Sequence, residues 1–347
     1  MQIAMIADAG SVHTRRWALG LRQLGHRVHI WSERPWDDFD DGSVHRLPRA
    51  QRLRRDVPGA VRQIRQEVRA FNPDVVHAHY VSHYGLLAAL AGIGPLVISV
   101  WGADIECFPE RYGFLSRRVI RWILARAQAI TCSSGYLRTI TERYTAQAIR
   151  VIPFGIDLHA FRPQNPNHGP VRLIINKALE PVYGIDIILS ALKEVQGSYT
   201  LRILGDGTQK PALQKLAAAC HLDQRVQWVG RVDPAALPAA LAWADVGLYA
   251  SRRESFGVAP LEMMALGRSA VAHRLGGLSE VICDNVTGVL IEPGNVALWH
   301  QVLQSLVNDP EPIRELGING PPWVASRYNF AENLKSMVDL YEQTISS

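Results

Sequence analysis

Two doubly wound α/β domains in tandem are the fold this sequence predicts, and three observations predict it. Short apolar runs alternate with segments of helical periodicity along the whole chain. A stretch rich in Pro, Asn and Gly interrupts the alternation near the middle. The 347 residues, 48% hydrophobic and 20% charged, exceed one ordinary core and suit two domains of roughly 150 residues each.

The first forty residues read as strand, helix, strand. Gln2 to Ile6 is apolar, and Trp17, Leu21 and Leu24 recur at helical spacing within Thr14 to Leu24. Gly25 stops that helix, and Val28 to Trp31 resumes an extended run. Further strands are expected at Asp74 to Ala78, Leu96 to Trp101, Ala129 to Cys132 and Ile149 to Ile152. The segments between them are long enough for helices, so a parallel sheet is the economical arrangement. Arg162-Pro-Gln-Asn-Pro-Asn-His-Gly-Pro170 has little to bury and reads as the linker. Beyond it the alternation restarts, with strands at Val171 to Ile175, Thr200 to Leu204, Val226 to Val229 and Val246 to Ala250. Helices are expected at Ile185 to Val195, Pro211 to Ala219 and Ala235 to Trp243. Two such domains leave a cleft facing the carboxyl ends of both sheets, where ligands of α/β proteins usually bind.

Composition narrows the function classes. The opening Met1-Gln-Ile-Ala-Met-Ile reads as a strand and lacks the basic start, apolar run and cleavage site of a secretory signal, which predicts a cytoplasmic location. The uncharged stretch Gly85 to Ala103 nears transmembrane length, but Gly92, Gly94 and Pro95 split it into a short helix and a buried strand. Cys107, Cys132, Cys220 and Cys283 are widely spaced, so neither a zinc site nor a disulfide framework is indicated, and reduced, buried thiols are expected. Residues 1–165 hold 22 arginines against 14 acidic side chains, leaving 15 basic and 18 acidic beyond them. The basic charge concentrates in Arg46, Arg49, Arg52, Arg54, Arg55, Arg62, Arg65 and Arg69, and in Arg117, Arg118, Arg121 and Arg126. Ile120, Ile123 and Leu124 offer the second group an apolar side. A solvated helix face is the ordinary reading. Contact with an anionic membrane, peripheral on the inner face, or with a phosphorylated acceptor is the alternative, and no nucleic-acid partner is expected.

The most informative segment is Ser251-Arg-Arg-Glu-Ser-Phe-Gly-Val-Ala-Pro-Leu-Glu262. Two carboxylates eight residues apart bracket a small, glycine-containing turn that opens a helix. Backbone N–H groups around Phe256, Gly257 and Val258 would point at an anion, and Gly257 would let a ligand approach the main chain closely. Taken alone, Glu254 could be a capping carboxylate and Glu262 a helix-surface one.

In its wider context the chain resembles glycosyltransferase family 4, the retaining group typified by bacterial mannosyl- and glucosyltransferases of the two-domain GT-B type. The likeness covers nearly the whole chain. It is strongest in Glu254-Ser-Phe-Gly-Val-Ala-Pro-Leu-Glu262, followed by Met264-Ala-Leu-Gly267, Gly276-Gly277, Glu280 and Thr287-Gly288. Supporting pieces are Leu204-Gly-Asp-Gly207, Trp228-Val-Gly-Arg231, Phe154-Gly-Ile-Asp157, Pro73-Asp-Val-Val-His-Ala-His79, and Leu179-Glu-Pro with Tyr183-Gly184.

The resemblance implies two Rossmann-like domains: 1–164 for the acceptor, 165–330 for the nucleotide sugar, and a helix over 331–347 crossing back to the first domain. It implies that Glu254 binds donor-sugar hydroxyls and Glu262 the nucleotide ribose. Ser255 and the amides of Phe256, Gly257 and Val258 would meet sugar and phosphate, and Gly10 and Ser11 would approach the diphosphate from the other domain. Gly205, Gly230 and Arg231 join the donor set. Lys177 would bind the diphosphate and stabilise it as the leaving group. Asp104 completes a catalytic set with Lys177 and Glu254, and His13, His79, Trp101 and Asp104 form the acceptor side. For His13, His77 and His79 a structural role at a strand or helix end competes with a catalytic one. The donor would be a UDP- or GDP-sugar and the acceptor lipid-linked, a polysaccharide precursor or a small molecule, with no metal and no further cofactor.

This chain departs from the family pattern where a second basic residue is common, at Tyr183, and where a histidine is common, in Ser99-Val-Trp101-Gly-Ala-Asp104. The pattern supplies no obvious carboxylate nucleophile, so front-face displacement is favoured, with the departing diphosphate taking the acceptor proton. Competing readings are weaker. A metal-dependent transferase would need Asp38-Phe-Asp40, in a loop-like acidic stretch. A nicotinamide oxidoreductase would need glycines that Gly10-Ser-Val-His-Thr-Arg lacks. A sugar-nucleotide epimerase and a degenerate, membrane-bound scaffold would keep the fold.

Overall fold

The computed structural model describes residues 1–34, 36, 41–49 and 56–346. The chain forms two compact units, Met1–Phe154 with Ala331–Ser347, and Gly155–Phe330. Asp38, Asp40, Arg52, Arg54 and Arg55 lie outside the described residues.

The first unit runs β1 (Gln2–Ile6), α1 (Val12–Gln23), β2 (Arg27–Ser32), β3 (Val44–Arg46), α2 (Val57–Phe71), β4 (Val75–His79), α3 (Tyr84–Ala91), β5 (Leu96–Val100), α4 (Ala103–Leu124), β6 (Ala129–Cys132), α5 (Gly135–Thr141) and β7 (Ile149–Val151). Its strands pair in parallel in the order β3-β2-β1-β4-β5-β6-β7, with Ile3 opposite Val28 on one side and Val75 on the other. β4 and β5 are buried at every residue, and β5 is a continuous Leu-Val-Ile-Ser-Val run covered on both faces.

The second unit runs β8 (Val171–Asn176), α6 (Ile185–Leu192), β9 (Tyr199–Leu204), α7 (Lys210–Ala219), β10 (Val226–Gly230), α8 (Leu237–Ala242), β11 (Val246–Tyr249), α9 (Val258–Ala265), β12 (Ser269–His273), α10 (Leu278–Val281), β13 (Gly288–Ile291), α11 (Val296–Asn308), α12 (Glu311–Ile318) and α13 (Gly320–Arg327). Its parallel sheet has the order β10-β9-β8-β11-β12-β13. In each unit the order reverses beside a central strand, β1 or β8, the topology that opens a crevice at the carboxyl ends of the strands.

The last helix, α14 (Phe330–Ser346), belongs almost entirely to the first unit. It buries Leu334, Met337, Leu340, Tyr341 and Thr344, one helical stripe. A buried polar ladder anchors it. The Tyr341 hydroxyl lies 2.6 Å from His77 Nδ1, His77 Nε2 lies 2.7 Å from Ser99 Oγ, and Ser99 Oγ lies 2.6 Å from Thr131 Oγ1. Desolvation pushes the His77 pKa down to about 3, so the ring is neutral and both nitrogens are spent on structure.

Several expectations are corrected. The segment 162–170 is not a free linker: Gln164 N donates to Leu266 O, Asn167 Nδ2 to Trp243 O and Ala244 O, and Gly169 O accepts from Arg314. Its short polar side chains satisfy loop carbonyls of the second unit, and the division between units falls earlier, after Phe154. Ile120, Ile123 and Leu124 pack into the first core and give the surrounding arginines no apolar exterior. Cys132 and Cys220 are buried but Cys107 and Cys283 only partly so, and all four are free thiols. No helix among the described residues is long and apolar enough to cross a membrane.

Asp104, expected to be catalytic and on the acceptor side, is 2% exposed. Its Oδ2 accepts from Val81 N at 2.7 Å, and its Oδ1 from Gly102 N at 2.8 Å and Trp101 N at 3.3 Å. The carboxyl group ties the loop after β4 to the loop after β5, a backbone clamp rather than a group facing substrate. Burial raises its pKa to about 6, against the opposing pull of those N–H groups.

Two stability measurements test these anchors. Tyr341→Phe leaves His77 Nδ1 unpaired and should cost about 1–3 kcal/mol in urea denaturation, and an unchanged midpoint would contradict the ladder. The stability tied to the raised Asp104 pKa is complete below the unfolded value near 4 and is lost as pH rises through about 6. The advantage of the natural chain over Asp104→Asn should therefore be larger at low pH than at neutral pH. A gap that widens with pH would contradict the burial-dominated shift.

Candidate active site

β8 ends in the polar Asn176, Lys177 follows it directly, and each holds one of the two glutamates singled out by the sequence. Lys177 Nζ lies 2.6 Å from Glu254 Oε2, with side chains 11% and 15% exposed. Asn176 Nδ2 donates to Glu262 Oε2 at 3.2 Å. Neighbouring residues of a strand end diverge to opposite sides, which suits them to hold two carboxylates from different parts of α9 and the loop before it.

Further groups fix the orientation of these pairs. The Tyr249 hydroxyl, at the end of β11, lies 2.8 Å from Asn176 Oδ1 and 3.1 Å from Ala259 O. Burial first, then the fields of Glu262 and Glu254, raise the Tyr249 pKa well above its usual value, so it stays a donor. With Oδ1 facing that donor, the Asn176 amide group turns its N–H toward Glu262. Lys177 Nζ also sits 4.9 Å from the centre of the Tyr183 ring and 6.0 Å from that of Tyr249, and Ser251 Oγ is 3.3 Å from Glu254 Oε2. Tyr183 thus places an aromatic ring beside the lysine, at the position where a second basic residue is common in the family that the sequence resembles.

The loop carrying Glu254 is braced on three sides. Arg252 pairs with both Asp186 oxygens, at 3.0 and 2.6 Å, and donates to Pro181 O. His273 Nδ1 lies 2.9 Å from Ser251 O, and burial lowers the His273 pKa, leaving a neutral donor. Gly277 N donates to Glu254 O at 2.9 Å. Gly257 starts α9 with φ +112°, a conformation side chains resist, and a Cβ there would come within 3.0 Å of Val281. Pro260 has no N–H and Leu261 N donates to Gly257 O, so Val258 and Ala259 supply the two N–H groups of the first turn that precede any intrahelical acceptor, at the positive end of the helix dipole. Lys177 and that helix end can offer positive charge to an anion, and the two carboxylates can accept hydrogen bonds from hydroxyl groups.

The remaining expected residues divide. Gly205 is a packing glycine: at φ +134° a Cβ would lie 2.1 Å from Lys177 O, so the close approach is to the protein's own backbone. Its N–H donates to Gly230 O, and Arg231 is exposed just beyond β10. In the first unit Gly10 N donates to Asp8 Oδ1 and Ser11 N to Asp8 O. These two amides are bonded within a turn that also carries the Asp8 carboxylate. His13 stacks on Phe154 at 4.1 Å and meets the edge of Trp101 at 6.1 Å, while His79 lies 4.3 Å from Trp101. The structure therefore gathers His13, His79 and Trp101. His79 is fully buried, however, with Nδ1 3.2 Å from Thr14 Oγ1, and desolvation drives its pKa well down. It supports Trp101 from beneath instead of facing an acceptor. Among the described residues no group of three or more His, Cys, Asp or Glu is placed to hold a metal ion.

Asn176, Tyr249, Arg252, Asp186 and His273 were missed by sequence reasoning. Only the polar ending of two otherwise apolar strands hinted at the first two.

Comparison with known proteins fits this geometry. Residues 159–323 match the family model described as glycosyl transferases group 1, and residues 2–134 match that described as glycosyl transferase 4-like. Glycogen synthase of Mycobacterium tuberculosis is 32% identical over 256 residues, 70% of this chain and 62% of its own length, so the match spans less than two thirds of that relative. Sucrose-phosphate synthase of Thermosynechococcus elongatus has a TM-score of 0.85 at 20% identity, over 100% of this chain and 99% of that one. A structure of HepE from Anabaena in complex with UDP-glucose has a TM-score of 0.84 at 19% identity, over 99% of this chain and 100% of that one. The two structures share the fold, a pair of Rossmann-like α/β units of the GT-B type. With one model on each half and the two glutamates held as described, the chain belongs to the group 1 glycosyltransferases.

Proposed function

We propose that this chain is a retaining glycosyltransferase that moves a hexose or N-acetylhexosamine from a UDP- or GDP-sugar to a lipid-linked, polysaccharide-precursor or small-molecule acceptor. The observation that carries the reading is the pair of contacts at the end of β8, Lys177 to Glu254 and Asn176 to Glu262, beside the start of α9. The UDP-glucose held by the Anabaena structure, which shares the fold, supports a nucleotide-sugar donor.

In this proposal Glu262 accepts hydrogen bonds from ribose hydroxyls and Glu254 from hydroxyls of the transferred sugar. Lys177 has three N–H donors and spends one on Glu254, so two remain for diphosphate oxygens. One cation then links sugar recognition to the leaving group. As the bond from anomeric carbon to phosphate oxygen breaks, negative charge grows on the diphosphate beside Lys177 and the amides of α9. The acceptor oxygen attacks the anomeric carbon on the face the diphosphate leaves, and a phosphate oxygen takes the acceptor proton. Retention follows without a covalent enzyme intermediate. His13, packed against the buried rings of Trp101 and Phe154, lies on the acceptor side in this proposal, and no protein carboxylate is assigned as base.

Two outcomes follow. In a thermal-shift titration, a matching nucleotide at about a hundred times its Kd should stabilise the protein by roughly 2.7 kcal/mol. Glu262→Ala should weaken that binding by about 1–3 kcal/mol, and equal shifts in both proteins would count against the ribose assignment. Lys177→Met should reduce kcat by about 10²–10³ with a smaller change in the donor KM. A variant that loses affinity but keeps kcat would show the lysine to be a binding group only.

A further inference from the structure

We propose that the break in α4 is a docking surface for an anionic lipid bilayer, inserting Phe114 and Leu115 while Arg117, Arg118 and Arg121 meet the headgroups. Gly113, at φ 66° and ψ −143°, interrupts the helix, and Ser116 Oγ bonds to Gly113 O to fix the break. Just beyond it stand Phe114, 64% exposed, and Leu115, 72% exposed, the two most exposed large apolar side chains of the described residues. They are adjacent, where isolated exposed apolar residues would need no explanation.

Their surroundings select the partner. Arg117, Arg118 and Arg121 are exposed on the same stretch, while Ile120, Ile123 and Leu124 on its other side are locked in the core. The solvent-facing side therefore reads Phe114, Leu115, then three arginines, with the Arg118 guanidinium 4.7 Å from the centre of the Phe114 ring. The sequence holds no Asp or Glu from Arg111 to Thr141, so nothing acidic within this stretch offsets the charge. A second copy of the chain would bring arginines against arginines in a symmetric contact. An anionic bilayer offers phosphate to the guanidinium groups and hydrocarbon to the two apolar side chains, and each requirement is met by a different part of one surface. The inference does not rest on the transferase reading, since it uses neither Glu254 nor Lys177.

The test is co-sedimentation of the full chain with vesicles of phosphatidylcholine alone and of phosphatidylcholine mixed with phosphatidylglycerol, with light scattering to follow oligomeric state. Binding is expected only to the phosphatidylglycerol vesicles, weakening as salt is raised. At about fivefold per arginine, Arg117→Gln, Arg118→Gln and Arg121→Gln together should lower partitioning by about a hundredfold. Phe114→Ser with Leu115→Ser should lower it by about tenfold with the arginines intact. Matched circular dichroism and thermal midpoints would show that both variants are folded. No binding to phosphatidylglycerol vesicles overturns the proposal, as does binding that both variants retain. A serine variant that binds normally, or that changes oligomeric state and not partitioning, also overturns it.

Discussion

The ion pair between Lys177 and Glu254 is the constraint on which the rest of the candidate site depends. Two opposite charges this far from solvent are each costly without the other, so the end of β8 and the loop after β11 must arrive together. Asn176, one residue earlier, repeats the arrangement for Glu262 with a neutral donor. The surrounding contacts act as struts that hold this meeting point: Arg252 on Asp186, His273 on Ser251, Gly277 on Glu254 and Gly205 against the Lys177 carbonyl. Rigid support of this kind lets carboxylates recognise hydroxyls without reorganising.

The two units use their polar residues differently. In the first, the conspicuous groups on the central strands and at the start of α4 are spent on structure: His77 on Tyr341 and Ser99, His79 against Trp101, and Asp104 on three backbone N–H groups. Burial leaves the histidines uncharged. In the second, Lys177 and Glu254 keep a fraction of their surface open, and charge remains where a ligand can reach it. Part of that charge lies at Glu254, one of the two glutamates that are the strongest signal in the sequence.

Most of the fold was legible because buried parallel strands are apolar runs bounded by turn residues, and β1, β5, β8 and β9 are such runs. β12 escaped notice because Ser-Ala-Val-Ala-His is too small and too polar at its ends to stand out, although every residue of it is buried. β3 is only three residues long and sits at the sheet edge, where little is buried. The glutamates were legible from their spacing around Gly257. Their partners were not, because Asn176 and Glu262 are 86 positions apart and a single amide at a strand end has no periodicity. Asp104 misled for a related reason: the donors it accepts from are main-chain N–H groups, which any sequence supplies, so its structural role leaves no mark on neighbouring residue types.

The central claim is that Asn176 works through Glu262, as one unit set by the end of β8. A double-mutant cycle tests it most directly, with nucleotide affinity measured by calorimetry for Asn176→Ala, Glu262→Ala and the combination. If Asn176 serves to orient Glu262, each single change weakens binding and the double variant is scarcely worse than Glu262→Ala. Losses that simply add would contradict the account, since they would mean that Asn176 and Glu262 act on the nucleotide independently.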